Sequence, residues 1–468
     1  MEPRHQALAA LEAQLDTTLA QLVELARIPG VSADGFDRSQ LERSAEHVAQ
    51  LARRAGLEHV EILRIDGSHP YVIADWLHAG ARAPTVLIYA HHDVQPPGRA
   101  ERWRTPAFEP TLRDDGRLYG RGVVDDKAGV LLHLAALRAW LTATRALPVN
   151  VKLIVEGEEE IGSPHLEAFL QAHRERLSAD VIVLSDTANL ATGLPSLTTS
   201  LRGLVTIDVC VRALDHPVHS GMWGGPVLDA ATALVRLLAR LVDDRGRPCV
   251  PDLESDVPPI SAAERARLAA LPFDESQFRA DAGLLAGVKL ACAPHESVYE
   301  RLWLRPSITI TALESVLLAK ASNQLIDEAR AQVSVRVGPG QDPKRMQESV
   351  IRCLTEAPPW GVQVETRAHT AVPGWRTEPS GPAFDAARRA LALGFGREAV
   401  HIGCGGTIPF VGPFSSVLRG APALLLGLED PICNAHGENE SLHVEDFRKA
   451  ARSAVHLLAE LESALAPR

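Results

Sequence analysis

Three apolar segments in this sequence end directly at residues that can bind a metal ion or carry a proton. The segments are residues 86–90, 151–155 and 181–184, and the residues that follow them are His91-His92-Asp93, Glu156-Gly157-Glu158-Glu159-Glu160 and Ser185-Asp186. Clustered carboxylate and imidazole groups are the ligands that a hydrolytic metal centre needs. The spacing therefore indicates metal-assisted hydrolysis, provided that the fold brings these three places together.

The three segments are typical of strands that are buried on both faces of a parallel sheet, because apolar residues run through them almost without interruption. In such sheets the ligand site lies beyond the carboxyl ends of the strands. We therefore expect a single site at this edge of the sheet, formed by His91, Asp93, Glu159, Glu160 and Asp186.

His91 and Asp93 are separated by one residue at the end of the first segment. Because alternate residues of a strand share a face, both side chains would point the same way while His92 faces away. The natural roles are metal ligand for His91 and, for Asp93, a carboxylate that orients it. A histidine at a strand end is otherwise an ordinary core or surface side chain, and the pair alone leaves that alternative open.

Two adjacent aspartates, Asp125 and Asp126, follow the glycine-rich segment 120–122 and precede a helical pattern from Lys127 to Thr144. Either aspartate could be the N-cap of that helix. Alternatively, Asp125 could be a carboxylate that bridges two metal ions, with one oxygen for each. The local sequence does not decide between these interpretations.

Glu158, Glu159 and Glu160 form an acidic run that would usually be a solvated surface segment. Here the run follows an apolar strand, where crowded like charges repel unless a cation offsets them or a proton is retained. One glutamate as a metal ligand and its neighbour as a general base would meet that requirement. Asp186 and His436 complete the candidate set, although alone the first could cap a helix and the second could be a loop histidine.

The hydrophobic pattern divides the sequence into a large domain and an insertion. Before residue 202 apolar strands alternate with helical patterns, which predicts an α/β sheet. Later strands such as 205–211 and 331–337 alternate, which predicts a sheet with one solvated face, and buried-strand character returns at 423–426. We predict a catalytic α/β domain with a mixed, mostly parallel sheet flanked by helices, residues 1–201 and 373–468, and an inserted α+β domain, residues 202–372.

The composition is that of a globular protein, with 46% hydrophobic and 23% charged residues in a chain of 468. A net charge of −11 argues against nucleic-acid or anionic-membrane partners, which favour a basic surface. No apolar run approaches the length of a membrane span, and the first residues lack the features of a secretory signal. The six cysteines are scattered singly, so we expect free thiols and a cytoplasmic protein.

At these motifs the sequence resembles the carnosinase, aminoacylase and succinyl-diaminopimelate desuccinylase family of two-metal peptidases, most of all its cytosolic dipeptidase branch. The resemblance extends from about Tyr89 to His436 and implies that the insertion is a lid and dimerisation domain. The motifs that carry it are Tyr-Ala-His-His-Asp-Val-Gln-Pro at 89–96, Gly-Arg-Gly-Val-Val-Asp-Asp-Lys at 120–127, Glu-Gly-Glu-Glu-Glu-Ile-Gly-Ser at 156–163, Ser-Asp at 185–186, His-Ser-Gly-Met-Trp-Gly-Gly at 219–225, Gly-Gly-Thr-Ile-Pro at 405–409 and Asn-Ala-His at 434–436.

The resemblance implies two divalent metal ions per chain, with zinc favoured and manganese or cobalt as alternatives. Glu159 would be the general base, which deprotonates a metal-bridging water and gives the proton to the leaving amine. The resemblance also predicts a cis peptide bond between Asp125 and Asp126. The implied ligands are His91, Asp125 and Asp186 for one ion, and Asp125, Glu160 and His436 for the other.

The resemblance further implies a homodimer with shared active sites. His219, in the insertion, would reach the site of the partner subunit and bind the substrate carbonyl oxygen as charge develops there. Arg336 would hold the substrate carboxylate. Asn323, Gly406 and Thr407 are the further substrate contacts, although the branch often has threonine at the first of these positions and serine at the last.

Hydrolysis of dipeptides with free amino and carboxyl ends is the function that the resemblance implies. The family tends to place Asp at the position of Asp186 in aminopeptidases and dipeptidases, and Glu in carboxypeptidases and deacylases. One alternative is an amidohydrolase that removes N-acyl or N-carbamoyl groups from amino acids. Another is a non-catalytic binding protein on the same fold, against which the complete candidate ligand set argues.

Overall fold

The structure, a computed structural model, describes residues 2–292, 296–406, 411–418 and 420–466. Its α-helices are α1 Pro3–Glu12, α2 Leu15–Ala26, α3 Ser39–Ala55, α4 Lys127–Thr144, α5 Leu166–Ala172, α6 Arg174–Leu177, α7 Ser220–Trp223, α8 Ala230–Leu238, α9 Ala262–Ala270, α10 Glu275–Asp281, α11 Val298–Trp303, α12 Pro343–Thr355, α13 Pro382–Phe395, α14 Val411–Val417 and α15 Val444–Leu465. Its strands are β1 Glu58–Leu63, β2 Tyr71–Trp76, β3 Thr85–His91, β4 Thr111–Leu112, β5 Arg117–Tyr119, β6 Asn150–Glu156, β7 Val181–Ala188, β8 Ser196–Leu201, β9 Gly203–Arg212, β10 Val218–His219, β11 Ser307–Glu314, β12 Gln324–Leu325, β13 Glu328–Val337, β14 Gln363–Val372, β15 Trp375–Arg376, β16 Val400–Cys404, β17 Ala423–Glu429 and β18 Ser441–His443.

These elements form two compact units. The first contains the described residues before 200 and most of those after 377, and the second contains residues 200–377 with a short segment that begins at residue 403. Residues 202–372, which the sequence pattern predicts to be an insertion, all belong to the second unit.

The large sheet of the first unit has the strand order β1-β2-β6-β3-β7-β17-β8. Its central strands β6, β3, β7 and β17 are parallel, whereas β1, β2 and β8 are antiparallel to their neighbours. The central strands are buried along nearly their whole length, as expected for parallel strands covered on both faces. This confirms the predicted fold class, a mixed and mostly parallel sheet flanked by helices.

The helix α4 supports the sheet from one face. Its sequence is apolar almost all round, so it is buried along most of its length. It packs against β3 and β7 on the sheet side and against α1 and α15 elsewhere. Since α4 begins at Lys127, this packing fixes the position of the two aspartates that precede the helix.

The second unit contains an antiparallel sheet with the strand order β11-β13-β9-β14. Alternate residues of β9 are buried, among them Val205, Ile207, Val209 and Val211, as the alternating pattern predicts. The helices α8 and α12 pack on this sheet. The other face of the sheet is more exposed, which explains the polar residues between the buried ones.

The six cysteines are all free thiols. Within the ranges that the structure describes, no helix has both the length and the apolar character needed to cross a membrane.

Candidate metal centre

The parallel centre of the large sheet brings three strand ends together at one edge. His91 is the last residue of β3 and pairs with Glu156, the last residue of β6. On the other side of β3, Tyr89 pairs with Leu184 of β7, and Asp186 follows two residues later. These strand ends meet because β6, β3 and β7 are parallel neighbours.

A first group of possible metal ligands lies at this edge. Nε2 of His91 is 3.0 Å from Oδ1 of Asp125 and 3.7 Å from Oδ2 of Asp186. One ligand atom from each residue lies within 4.8 Å of the others. His91, Asp125 and Asp186 are named the first ligand group below.

A second group shares Asp125 with the first. Nε2 of His436 is 2.9 Å from Oδ2 of Asp125 and 3.2 Å from Oε2 of Glu160. The side chain of Glu160 is 2% exposed and that of His436 is 59% exposed, so this group borders the solvent. Asp125 thus directs one carboxylate oxygen to each group. Asp125, Glu160 and His436 are named the second ligand group.

The chemistry of the two groups fits a pair of divalent ions. Each group offers one imidazole and two carboxylates, which are ligands that zinc accepts. Nδ1 of His91 lies 3.1 Å from the carbonyl oxygen of Asp93, so a proton on Nδ1 leaves Nε2 able to bind a metal. Burial and the nearby charge of Asp125 raise the pKa of Glu160 to about 7. Without a cation, burial and the charge of Asp125 therefore favour the protonated form of Glu160.

Asp93 connects the two halves of this site without joining either ligand group. Its carboxylate accepts hydrogen bonds from the backbone N–H of Glu159 at 3.2 Å and of Glu160 at 3.0 Å. Its Oδ1 also lies 3.4 Å from Nδ1 of His91. The buried carboxylate of Asp93 therefore fixes the position of the His91 ring relative to the short 3₁₀ turn Glu159–Ile161.

Glu159 and Glu160 are adjacent but have different surroundings. The carboxylate of Glu160 accepts a hydrogen bond from Nε2 of Gln95 at 2.8 Å and faces His436. The carboxylate of Glu159 has no hydrogen-bond partner in the part of the chain that the structure describes. Burial raises the pKa of Glu159 well above its ordinary value, and the negative charge of Asp186 adds to this effect. Glu159 is therefore the carboxyl group that is available to accept a proton.

Glu158 does not take part in either ligand group. Its carboxylate is buried and accepts hydrogen bonds from the hydroxyl of Tyr71 at 2.6 Å and from the backbone N–H of His165 at 3.1 Å. The acidic run is therefore not the solvated surface segment that its composition alone would allow. Instead, Glu158 anchors the turn that carries Glu159 and Glu160.

The two aspartates before α4 have different neighbours, and neither caps the helix with its side chain. Asp125 faces both ligand groups, whereas Oδ2 of Asp126 accepts a hydrogen bond from the backbone N–H of His91 at 3.2 Å. The peptide bond between Asp125 and Asp126 is cis, which confirms that prediction.

The predicted carbonyl-binding histidine, His219, lies in the second unit at the end of β10. Its side chain is exposed, and Nδ1 accepts a hydrogen bond from the backbone N–H of Gly221 at 3.0 Å. In the neutral ring the proton is therefore on Nε2, which becomes a hydrogen-bond donor.

The predicted substrate contacts also lie in the second unit or outside the described residues. Arg336 is on β13 and partly buried, and burial lowers its pKa. Asn323 is exposed, and its carbonyl oxygen accepts a hydrogen bond from the backbone N–H of Ser220 at 2.9 Å. Gly406 donates its backbone N–H to Sγ of Cys404 at 3.3 Å. Thr407 lies outside the described residues.

Three charged residues near the ligand groups were not identified by the sequence patterns. Glu429 ends β17, and burial together with Asp125 and Asp186 raises its pKa well above the ordinary value. Arg121 and Glu440 form a buried ion pair. Glu429 follows the apolar run 423–426, so the strand-end signal used for the other residues could have found it. The pairing of Arg121 with Glu440 has no local signal.

Two ligand groups that share one carboxylate at the carboxyl edge of an α/β sheet fit a metal-dependent hydrolase. The chain belongs to the family described as "Peptidase family M20/M25/M40", whose model matches residues 87–460.

Named relatives agree with this family. The chain is 34% identical over 378 residues to the cysteinylglycine-S-conjugate dipeptidase of Corynebacterium striatum, a match that covers 80% of this chain and 81% of the relative. It is 30% identical over 385 residues to the human beta-Ala-His dipeptidase, covering 80% of this chain and 74% of the relative. The crystal structure of human carnosine dipeptidase 1 superposes with a TM-score of 0.85 at 25% identity and covers 99% of both chains.

Proposed function

We propose that this protein is a metal-dependent dipeptidase that hydrolyses the peptide bond of dipeptides with free amino and carboxyl ends. The observation that carries the proposal is the sharing of Asp125 between two ligand groups, with the unengaged carboxyl group of Glu159 beside them. The names of the relatives, which are dipeptidases, support the substrate class. The amidohydrolase alternative has no comparable support.

The first and second ligand groups would each hold one divalent ion, for which we propose zinc. When bound, such a pair polarises a carbonyl group and makes water more acidic. Asp125 would contribute to both positions, and Asp93 would keep His91 and Glu160 aligned through its contacts with both. Replacing a residue that orients metal ligands in this way typically lowers metal affinity or activity by about 10–100-fold.

Glu159 is the proposed general base. It would take a proton from the attacking water while the water oxygen adds to the peptide carbonyl carbon, and then give that proton to the leaving nitrogen. One observation favours Glu159 over Glu160 for this role. The carboxylate of Glu160 is engaged by Gln95 and His436, whereas that of Glu159 has no hydrogen-bond partner among the described residues. The raised pKa of Glu159 suits a group that must hold a proton during the reaction, although the pKa of Glu160 is raised as well.

His219 is proposed to bind the substrate carbonyl oxygen as negative charge develops on it. Its ring proton is on Nε2, which is the donor that this role needs, because Nδ1 accepts from Gly221. Arg336 is proposed to hold the substrate carboxylate, since a guanidinium matches that group with two parallel hydrogen bonds. Asn323, Gly406 and Thr407 remain predicted substrate contacts.

We propose that the protein is a homodimer in which each subunit supplies His219 to its partner. The exposed position of His219 on the second unit supports this arrangement. The edge strand β11 is exposed along most of its length, and the exposed residues Leu313, Leu317 and Leu318 lie in it or just beyond it. An exposed edge strand of this kind readily pairs with another chain. The free thiols also support the proposed cytoplasmic location.

A hydrolysis screen tests the proposed function. Metal-stripped protein is reloaded separately with zinc, manganese or cobalt and given a set of dipeptides together with their N-acetyl and N-carbamoyl counterparts. We expect the free dipeptides to be cleaved faster. Faster turnover of the acylated compounds would favour the amidohydrolase, and no turnover with any metal would favour a binding protein.

A further inference from the structure

Arg121 and Glu440 form an ion pair that contacts the backbone of two metal-ligand residues, Asp125 and His436. Nη1 of Arg121 donates a hydrogen bond to Oε2 of Glu440 at 2.7 Å, and the two side chains are 1% and 0% exposed. A buried ion pair is by itself weak support for stability, because desolvation of both charges offsets their attraction. The hydrogen bonds that Arg121 and Glu440 make with neighbouring backbone groups therefore indicate the role of the pair.

Glu440 holds the loop that leads to Asp125. Its Oε1 accepts hydrogen bonds from the backbone N–H of Val124 at 3.2 Å and of Asp125 at 3.4 Å. Its own carbonyl oxygen accepts a hydrogen bond from the backbone N–H of Gly120 at 3.0 Å. Both ends of the loop from Gly120 to Asp125 are therefore attached to this one residue.

Arg121 connects that loop to two others. Its Nη2 donates hydrogen bonds to the carbonyl oxygens of Pro96 and His436, each at 3.0 Å. Pro96 directly follows Gln95, whose side chain binds the carboxylate of Glu160. The planar guanidinium presents its donors in fixed directions, so it can serve all these acceptors at once, which a lysine ammonium cannot do in the same geometry.

The contact with His436 is the one that most affects a ligand. His436 has a φ of 63°, in the left-handed region that is unfavourable for a residue other than glycine. Such a conformation persists only where the surroundings enforce it. The hydrogen bond from Arg121 to the carbonyl oxygen of His436 is one such constraint.

We propose that Arg121 is a positioning residue for the second ligand group and that Glu440 fixes both Arg121 and Asp125. The pair joins the segments that carry Asp125 and His436 to the segment of Gln95 and Pro96, and Gln95 in turn binds Glu160. The first ligand group shares Asp125 but otherwise depends on the pair less, because His91 and Asp186 belong to β3 and β7 and are held by the sheet. The proposal rests on the proposed metal centre, and it does not depend on which substrate is cleaved.

Zinc release from the loaded, full-length protein tests the proposal. Arg121→Lys keeps the positive charge beside Glu440 but cannot reach both carbonyl oxygens. A competing chelator removes the two zinc ions, and the release step that is missing in His436→Ala identifies the ion of the second group. We expect Arg121→Lys to bind that ion about 10–100-fold more weakly while the other ion is much less affected.

Two further variants separate positioning from general destabilisation. Glu440→Gln keeps the size and an acceptor oxygen of the side chain, and we expect it to weaken the second ion as well. Arg117→Lys alters a matched buried ion pair, in which Arg117 binds Asp430 with two hydrogen bonds of 2.8 Å and also contacts Ser441. We expect this control to lower the free energy of unfolding without a selective loss of one ion.

Two results would overturn the proposal. One is wild-type zinc release in both Arg121→Lys and Glu440→Gln. The other is an equal loss of both ions in Arg121→Lys, with no selectivity for the ion of the second group. A wild-type protein that binds two zinc ions but cleaves no dipeptide would contradict the proposed function and leave this proposal standing.

Discussion

Nε2 of His436 and Oδ2 of Asp125 lie 2.9 Å apart, although Asp125 precedes the second unit in the sequence and His436 follows it. The other carboxylate oxygen of Asp125 lies 3.0 Å from Nε2 of His91. A single carboxylate thus joins both ligand groups. The second group is complete only after the chain has returned to the first unit and formed the loop that contains His436.

Glu159→Gln is expected to lower the rate of dipeptide hydrolysis by about 10²–10⁴-fold while two metal ions remain bound, because the amide cannot act as a base. Glu160→Gln is expected to lose the ion of the second ligand group, since an amide oxygen is a weaker ligand than a carboxylate. Kinetics and elemental analysis of both variants check this prediction.

The two variants serve as controls for each other, because the residues are adjacent and chemically alike. Equal metal loss in both would show that the roles are not divided in this way. Normal activity of Glu159→Gln would show that another group is the base.

Acid destabilisation through His133 is expected in the first unit. His133 is buried in α4 with Nε2 3.0 Å from Oγ of Ser185, and burial lowers its pKa to about 3. A histidine in an unfolded chain titrates near 6.5, so below about this pH the unfolded state binds a proton that the folded state does not. The free energy of unfolding therefore falls as the pH is lowered from about 6.5, with a contribution from this residue of about 1.4 kcal/mol per pH unit.

Urea denaturation of His133→Gln at several pH values between about 6.5 and 4.5 measures this contribution. The variant is expected to lose stability less steeply with falling pH than the wild type, whatever its stability at neutral pH. His5→Gln, at an exposed position, is the control and should keep the wild-type slope. An unchanged slope in His133→Gln would contradict the prediction.

Restored activity in mixed dimers is expected if His219 is supplied to the partner subunit. Glu159→Gln and His219→Ala should each be nearly inactive alone, the second because loss of one carbonyl-binding donor typically costs about 10²–10³ in rate. Co-expression would form heterodimers with one intact site, which combines a normal metal centre with the other chain's normal histidine. Activity of the purified heterodimer should exceed that of either parent.

The outcome of this mixing experiment separates three arrangements. If His219 acts within its own chain, every site keeps a defect and mixing restores nothing. If His219 only begins the short helix α7, His219→Ala is active by itself. Both outcomes would remove the shared-site proposal without affecting the metal centre.

The sheet and the convergence of its strand ends were predictable because their signals are local. The apolar runs before His91 and Asp186 are long enough to indicate buried parallel strands, and parallel neighbours must end at the same edge. The same signal precedes Glu429, which follows an equally clear apolar run. The alternating strand β9 was likewise apparent from its period of two.

The division of roles between Glu159 and Glu160 was not predictable from the sequence around them. It depends on Gln95 and His436, which come from distant segments and engage only Glu160. Similarly, the sequence leaves open whether Asp125 caps a helix or joins two ligand groups. That choice follows from the three-dimensional positions of His91 and His436, not from the residues beside it.

The metal content of the purified protein tests the two-metal site most directly. Elemental analysis of the wild type and of Asp125→Ala, each equilibrated with saturating zinc and then freed of unbound metal, gives the number of ions per chain. Because Asp125 belongs to both ligand groups, we predict two ions per chain in the wild type and weaker zinc binding by both groups in Asp125→Ala. At most one ion in the wild type under saturating metal, or two ions in Asp125→Ala, would contradict the account.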